Sequence, residues 1–356
     1  MATISLCMIV KNEEDVLGRC LESVRGAVDE IIVVDTGSSD RTKEIARAYT
    51  QQVYDFVWID DFAAARNFSF SKANMEYCMW LDADDILLEE DNKALIKLKK
   101  ELNADTVMLR YHVAFDQAGR PTFSYYRERI LKRSGNPTWV GAVHEVIPPY
   151  GSIQYCDIAV THKKMHPGDA DRNLRIFETM LAKGVTMDAR QQFYYGRELY
   201  YHAKYEKAIT VLESFLKEGD AWIENKIDAC SILSSCYESL SQCKQALAAL
   251  FYSMQLDVPR AEICCEIGKI FLNNAQYPMA IYWYQTALEC KRQDEAGGFV
   301  QEDCYGYIPY LQLCVCYDRI GQTEKAREYN QKAGECKPGD EIVKRNEQYF
   351  SHLSIS

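Results

Sequence analysis

Tyr77-Cys78-Met79-Trp80-Leu81-Asp82-Ala83-Asp84-Asp85 decides how this chain is read. Its first five residues form an apolar run bounded by polar neighbours, the length of a buried strand. Three carboxylates follow within four positions. Side chains alternate along extended backbone, so Asp82 and Asp84 point the same way if that geometry persists. Carboxylates at a strand end of an α/β sheet stand where ligands usually bind. Left alone they repel each other; a divalent cation removes the conflict, and oxygen donors suit Mg²⁺ or Mn²⁺. The competing reading is a solvated turn that caps the next helix. An EF-hand loop is excluded, because Leu87 and Lys93 occupy the positions that need Gly and Glu.

Working upstream, residues 4–10 read as one apolar strand interrupted only by Ser5, as in a sheet covered on both faces. Lys11-Asn12-Glu13-Glu14 follows, then Val16, Leu17, Cys20, Leu21 and Val24 at helical spacing. Residues 31–34 read as a second buried strand, ending in Asp35-Thr36-Gly37-Ser38-Ser39-Asp40 before a helix through Ile45 and Ala46. Residues 53–59 read as a third strand, and a helix over 63–73 leads into the carboxylate strand. This alternation predicts a doubly wound, mostly parallel sheet. Asp35-Thr36-Gly37-Ser38 also spells the aspartic-protease tetrad, but those enzymes pair two such aspartates. Here there is one copy, in α/β sequence. Walker A and G-x-G-x-x-G motifs are absent. An Asp at a strand end, followed by a Gly/Ser turn into a helix, suits the base and ribose of a nucleotide. A plain turn capped by Asp40 is the structural alternative.

Downstream, a helix over 89–102 precedes strands over 106–115 and 123–132. Tyr111, Phe115, Phe123, Tyr125 and Tyr126 make these strands aromatic, for sheet packing or for lining a sugar site. Trp139-Val140-Gly141-Ala142-Val143-His144-Glu145 comes after a turn at Asn136-Pro137, and Val160-Thr161-His162-Lys163-Lys164-Met165-His166-Pro167 closes the half. On residues alone, His144-Glu145 is a structural hydrogen-bonded pair or a proton acceptor.

Ile9-Val10-Lys11-Asn12-Glu13-Glu14, Val33-Val34-Asp35-Thr36-Gly37-Ser38-Ser39-Asp40, Ala65-Arg66-Asn67 and Leu81-Asp82-Ala83-Asp84-Asp85 together resemble family 2 glycosyltransferases in order and spacing, over residues 1 to about 165. The resemblance implies a GT-A fold, a nucleotide-sugar donor, usually UDP-linked, and Mn²⁺ or Mg²⁺ held by the D-x-D. It implies donor contacts from Val10, Asn12, Glu13, Asp35, Gly37, Ser38, Arg66, Asp82, Ala83 and Lys163, with Asp35 at the uracil or ribose. Lys164 also stands where it could meet diphosphate. Thr36 departs from relatives that carry a second acidic residue there. The metal ligands implied are Asp82, Asp84 and His162, with Asp85 orienting the ion or the ribose. The W-x-G-x-V-H-E segment is similar to that of a subset including lipopolysaccharide core glucosyltransferases and peptide S-glycosyltransferases. It implies Glu145 as the base of an inverting transfer, with His144 as the second candidate.

From about Arg190 the pattern becomes helical hairpins. Gly268, Phe271, Ala280, Tyr284 and Ala287 have the spacing of a tetratricopeptide repeat, whose period is 34 residues. Ala208, Ala246, Ala280 and Ala326 are separated by 38, 34 and 46 residues, so two connections carry insertions, the longest around residues 294–298. The expected organisation is a GT-A domain over 1–168, a helical linker over 169–189, and repeats over 190–356. Such arrays present a concave surface to peptides, or serve as a dimer interface.

With 356 residues there is length for two cores, and a net charge of −11 argues against a general nucleic-acid surface. The early apolar run is too short to span a membrane and unlike a signal peptide. Fourteen scattered cysteines, including Cys264-Cys265 but no C-x-x-C, read as buried thiols of a cytoplasmic protein, not a zinc site. The expected partners are a donor such as UDP-glucose or UDP-GlcNAc, a peptide or protein acceptor, and a second copy of the chain. A lipopolysaccharide or cell-surface glycan acceptor, and an inactive scaffold acting through its repeats, are the alternatives.

Overall fold

The computed structural model describes residues 1–116, 118–165 and 168–353. His166 and Pro167, and the last three residues of the expected repeat domain, lie outside the described residues. The chain forms two compact units, Met1–Thr186 and Met187–Ser356.

The first unit begins with three strand–helix units: β1 (Ile4–Val10), α1 (Leu17–Ser23), β2 (Glu30–Asp35), α2 (Thr42–Arg47), β3 (Val53–Asp55) and α3 (Phe62–Phe70). β4 (Tyr77–Trp80) follows. These four strands are parallel, β1 lying between β2 and β4. β5 (Asp85–Leu87), α4 (Glu89–Leu98), β6 (Thr106–Phe115), β7 (Pro121–Lys132), β8 (Ile153–His162) and α5 (Arg172–Ala182) complete the unit. The sheet order is β3-β2-β1-β4-β7-β6-β8-β5, with β7 antiparallel to both neighbours.

Both faces of the parallel part are buried, which is why β1, apart from Ser5, and β4 are apolar on both faces. Ile4, Leu6, Met8, Tyr77 and Met79 pack into one core. Cys7, Ile32, Val34, Cys78 and Trp80 face the other. The chain leaves β1 toward β2 on one side and returns to β4 on the other. The carboxyl ends of β1 and β4 therefore flank a topological switch point, where open α/β sheets bind ligands.

The third strand is shorter than its apolar run. Pairing stops at Asp55, and after Phe56 donates to the Asp35 carbonyl the chain leaves the edge of the sheet. Val57 and Ile59 stand 84% and 60% exposed.

Glu30 ties together the opposite end of the sheet. Its carboxylate accepts from Ser5 Oγ, from Gln52 Nε2 at 2.9 Å, and from the Asn74 backbone and side chain at 2.9 and 2.7 Å. Burial opposes the charge, but the bonds from Asn74, Ser5 and Gln52 outweigh it and hold the carboxyl down at about 2. A depressed folded-state pKa gives stability that is full above the unfolded value and lost as pH falls toward the folded one. Wild type is therefore expected to lose thermal stability between about pH 4.5 and about pH 2. A Glu30→Gln variant should be less stable at pH 7 and show a flatter acid limb, as read by Tm against pH.

The second unit is a run of helical hairpins: α6 (Ala189–Tyr201) with α7 (Tyr205–Phe215), α8 (Ile223–Ser239) with α9 (Cys243–Ser253), α10 (Ala261–Asn273) with α11 (Tyr277–Glu289), and α12 (Tyr307–Arg319) with α13 (Thr323–Cys336). Helix α14 (Glu341–Leu353) closes it. Each turn repeats one device. Ala203, Ser241, Ala275 and Gly321 adopt positive φ. The next amide, of Lys204, Gln242, Gln276 or Gln322, reaches back to a carbonyl five residues earlier. This closes the first helix as a Schellman motif. Ala208, Ala246, Ala280 and Ala326 are all fully buried. A Cβ on Gly196 would meet Leu212 at 2.5 Å, and one on Gly268 would meet Tyr284 at 2.9 Å. The small residues thus set how closely paired helices approach. Among the described residues no helix is long and apolar enough to cross a membrane.

Candidate active site

The loops after β1 and β2 are stitched together. Val10 O accepts from Thr36 N at 2.9 Å and from Thr36 Oγ1 at 3.1 Å. Asn12, at φ 55°, donates its amide to Ser38 Oγ at 2.9 Å and accepts from Ser39 N at 2.8 Å. Asp35, 2% exposed, accepts on Oδ1 from Gly37 N at 3.0 Å and Ser38 N at 2.9 Å. Gly37 stands at φ 105°, a conformation that side chains disfavour. The other oxygen of Asp35 is buried without a hydrogen-bond partner among the described residues. A buried acceptor left unmade is costly, and this one stands at the switch point.

The loop after β4 carries two distinct acidic groupings. The first is a chain of ion pairs. Arg66, on α3, is 7% exposed. Its Nη2 meets Asp82 Oδ1 at 2.7 Å and its Nε meets Glu145 Oε1 at 2.6 Å. Its guanidinium lies over Trp80 and Trp139 at 5.0 and 4.9 Å. Burial works against the charge, yet Asp82 and Glu145 outweigh it and raise the Arg66 pKa. Burial likewise opposes the Asp82 carboxylate, but Arg66, Arg129 and Arg127 hold it well below the usual carboxylate range.

The second grouping is Asp84, Asp85 and His162, which can each offer one ligand atom within 4.8 Å of the others. His162 ends β8 and pairs in register with Asp85. Its Nδ1 lies 3.3 Å from Asp85 Oδ1 and 3.5 Å from Asp84 Oδ1. Asp85 is fully buried: it accepts from the Asp82 amide at 3.1 Å and Tyr111 Oη at 2.9 Å, and pairs with Arg129 Nη1 at 3.1 Å. The hydrogen bond to Asp85 raises the His162 pKa, against the effect of burial. Tyr111 Oη lies 3.0 Å from the same nitrogen, so Asp85 and Tyr111 together hold the imidazole in place. Glu13 belongs to the same edge: its amide donates to Thr42 Oγ1 at 2.7 Å, and burial, then Asp84, Asp82 and Asp40, push its carboxyl up to about 7.

The geometry therefore brings Asp82 to Arg66 and Glu145, and gathers Asp85 with Asp84 and His162, where the expected ligands are Asp82, Asp84 and His162. Ala83, between the two groups, is 4% exposed. Lys163 is exposed, with its amide on the Asp84 carbonyl at 2.9 Å and its own carbonyl on Arg19 Nη2 at 2.6 Å. Lys164 is exposed as well. His144 and Glu145 do not form one unit. The loop holding them is closed by the Val140–Val146 bridge, and Asn67 clamps it through both backbone groups of Trp139, at 2.8 and 2.9 Å. His144, at φ 51°, stacks on Phe177 of α5 at 6.4 Å, while Glu145 turns to Arg66.

Sequence reasoning missed Arg129. It is fully buried, pairs with Asp85, and lies 3.8 Å from the centre of the Trp80 ring and 4.4 Å from that of Tyr111. The signal is Arg127-Glu128-Arg129 set between the aromatic Tyr125-Tyr126 and the apolar Ile130-Leu131 of one strand. A charged run in a central strand needs buried partners.

A mostly parallel sheet with acidic groups at the carboxyl ends of β1, β2 and β4, followed in the chain by paired helices, defines a GT-A-type α/β unit and a tetratricopeptide-like array. Residues 5–154, within the first unit, match the sequence model of glycosyl transferase family 2. The chain is similar to the SPbeta prophage-derived glycosyltransferase SunS of Bacillus subtilis, 27% identical over 65% of this chain and 58% of that one. It is also similar to the lipopolysaccharide core biosynthesis glycosyltransferase LpsC of Rhizobium meliloti, 30% identical over 42% of this chain and 58% of that one. A TPR repeat-containing protein of Synechococcus elongatus is 46% identical over 29% of this chain and 25% of its own length. The chain thus spans little more than half of the first two and a quarter of the third.

Proposed function

We propose that the chain is a metal-dependent inverting glycosyltransferase that moves a sugar from a UDP-linked donor to a side chain of a peptide or protein. The observation that carries this reading is the unsatisfied Asp35 Oδ2, on the same strand-end edge as Asp84, His162 and the Glu145–Arg66–Asp82 chain. In this reading Asp35 accepts a hydrogen bond from the nucleoside, and the turn through Asn12, Gly37 and Ser38 holds it in place. Arg66 lies against the donor, its direction fixed by two carboxylates and two indole rings. Asp84 and His162 suit a divalent cation by donor type: a carboxylate and an imidazole held in place by Asp85 and Tyr111. Such a cation, when bound, supplies Lewis-acid stabilisation of the departing diphosphate. Lys163 and Lys164 add positive charge beside it. Glu145, oriented through one oxygen by Arg66, takes the acceptor proton as the nucleophile attacks C1.

The peptide acceptor is supported by the repeat array, a surface type suited to extended chains. A glycan acceptor is the second reading, favoured by the similarity to LpsC. Thermal shift across nucleotide sugars, with and without Mn²⁺, tests the donor class. UDP-glucose or UDP-GlcNAc with Mn²⁺ is expected to raise Tm, because a ligand that binds only the folded state stabilises it by mass action. Equal shifts from purine-linked sugars would contradict the UDP assignment. Asp35→Ala is expected to weaken UDP binding by about 10-fold or more in calorimetry, the worth of one hydrogen bond to a charged acceptor. Unchanged affinity would leave Asp35 a loop-forming residue alone.

A further inference from the structure

The long connection between α11 and α12 is met by thiols at both ends. Cys290, the C-cap of α11, places its Sγ 4.0 Å from Sγ of Cys264 on α10. Cys265, the next residue of α10, directs its Sγ at the carbonyl of Cys304 at 3.8 Å, near the far end of the connection. Successive residues of a helix point about 100° apart, so α10 addresses the two ends separately. Between them Phe299 lies beneath the Arg197 guanidinium at 4.6 Å. The amide of Gln301 and the hydroxyl of Tyr305 bond the two carboxylate oxygens of Glu262, at 2.9 and 3.0 Å. The connection is thus laid along α6 and α10, with paired thiols at its start.

We propose that Cys264 and Cys290 form a thiol–disulfide exchange site, which takes up oxidising equivalents from a low-molecular-weight disulfide such as oxidised glutathione and fastens the start of the connection to α10. A disulfide needs its sulfurs about 2.0 Å apart, so closure requires a movement of about 2 Å. Cys290 can supply it, because it stands in extended backbone, at φ −67° and ψ 138°, beyond the last helical residue. It is also partly exposed, whereas Cys264 is fully buried. The contact with Cys264 lowers the Cys290 pKa, and Cys290 is the sulfur of the pair that solvent reaches, so it is the entering nucleophile. Its thiolate attacks one sulfur of the glutathione disulfide and expels one glutathione thiolate. Cys264 then gives up its proton and attacks Cys290 Sγ, expelling the second. Two protein thiols are oxidised and one disulfide is reduced to two thiols. A zinc cage is a poorer reading of these sulfurs, because among the described residues only Asp84, Asp85 and His162 converge as three ligands.

The test equilibrates the full chain in buffers of graded reduced-to-oxidised glutathione ratio, quenches with acid, alkylates, and maps peptides by mass. The expected result is loss of two hydrogens from the intact mass and a peptide containing Cys264 linked to one containing Cys290. This should appear at ratios where exposed Cys243 and Cys336 carry little glutathione. Cys265→Ala should retain the link, since that cysteine shares a proteolytic fragment with Cys264. Cys290→Ser should abolish it and leave Cys264 a free thiol. Cys264→Ala should trap glutathione on Cys290. Donor hydrolysis should be unchanged in all three, so the outcome does not depend on the proposed activity. A stable glutathione adduct on Cys290 of the wild type, a link from Cys290 to any other cysteine, or no link where Cys243 is already modified would overturn the proposal.

Discussion

Replacing Glu145 by Gln is expected to lower turnover by about 10²–10⁴-fold, while donor affinity stays near that of wild type. Gln keeps the shape and can still accept from Arg66 Nε, so the guanidinium retains its place over Trp80 and Trp139. Asp82 continues to pair with Arg66 Nη2 at 2.7 Å and compensates its charge. What disappears is a carboxylate able to receive the acceptor proton. The effect should therefore fall on kcat, with the Kd for UDP-sugar changing little. If donor affinity collapsed and turnover survived, Glu145 would be a positioning residue for Arg66. His144 would then inherit the role of base, although it stacks on Phe177 and does not share the Arg66 network.

Asp84→Asn is expected to remove metal-dependent activity by on the order of 10³-fold, the kinetic equivalent of the several kcal/mol that charge neutralisation supplies. The fold should not suffer. Burial first, then Asp82 and Asp85, raise the Asp84 pKa, and His162 opposes them. A carboxyl with a raised folded-state pKa contributes stability below its unfolded pKa, and that contribution is lost as pH rises through the folded value. Ionised Asp84 therefore weakens the metal-free protein near pH 7, and Asn removes that cost. The variant should melt at the same temperature as wild type or higher when no metal is present, while losing the Tm gain on adding Mn²⁺. Stability given up for function is the usual signature of such a cluster. A lower metal-free Tm would make Asp84 a structural residue.

Much of the first unit was legible because its signals are local. An apolar run at Ile4–Val10, broken only by Ser5, and another before Asp82 are satisfied by strands buried on both faces, as both are. Asp35 at a strand end, with Gly37 two residues on, marks a turn that needs positive φ, and the turn is there. The repeats were visible in the alanine spacing, because small residues recur wherever paired helices touch. What escaped is what depends on partners distant in sequence. β5 is three residues long and exists because Asp85–Leu87 pairs with the end of β8. Asp85 looks like one more carboxylate of an acidic run, and only the burial of Arg129 against it makes it the centre of the cluster. Residues 53–59 carry a strand-like pattern that the sheet edge does not use, since among the described residues β3 is the edge strand and its partner β2 ends opposite Asp55. Cys264-Cys265 reads as ordinary core until the connection brings Cys290 and Cys304 back to it.

UDP release from UDP-glucose and UDP-GlcNAc, measured for wild type and Asp84→Asn in Mn²⁺ and in excess chelator, bears most directly on the claim that the strand-end cluster is a donor and metal site. The expected result is release by wild type in Mn²⁺, lost in chelator and lost in Asp84→Asn under either condition. Release at the wild-type rate in chelator, or by Asp84→Asn in Mn²⁺, would contradict it.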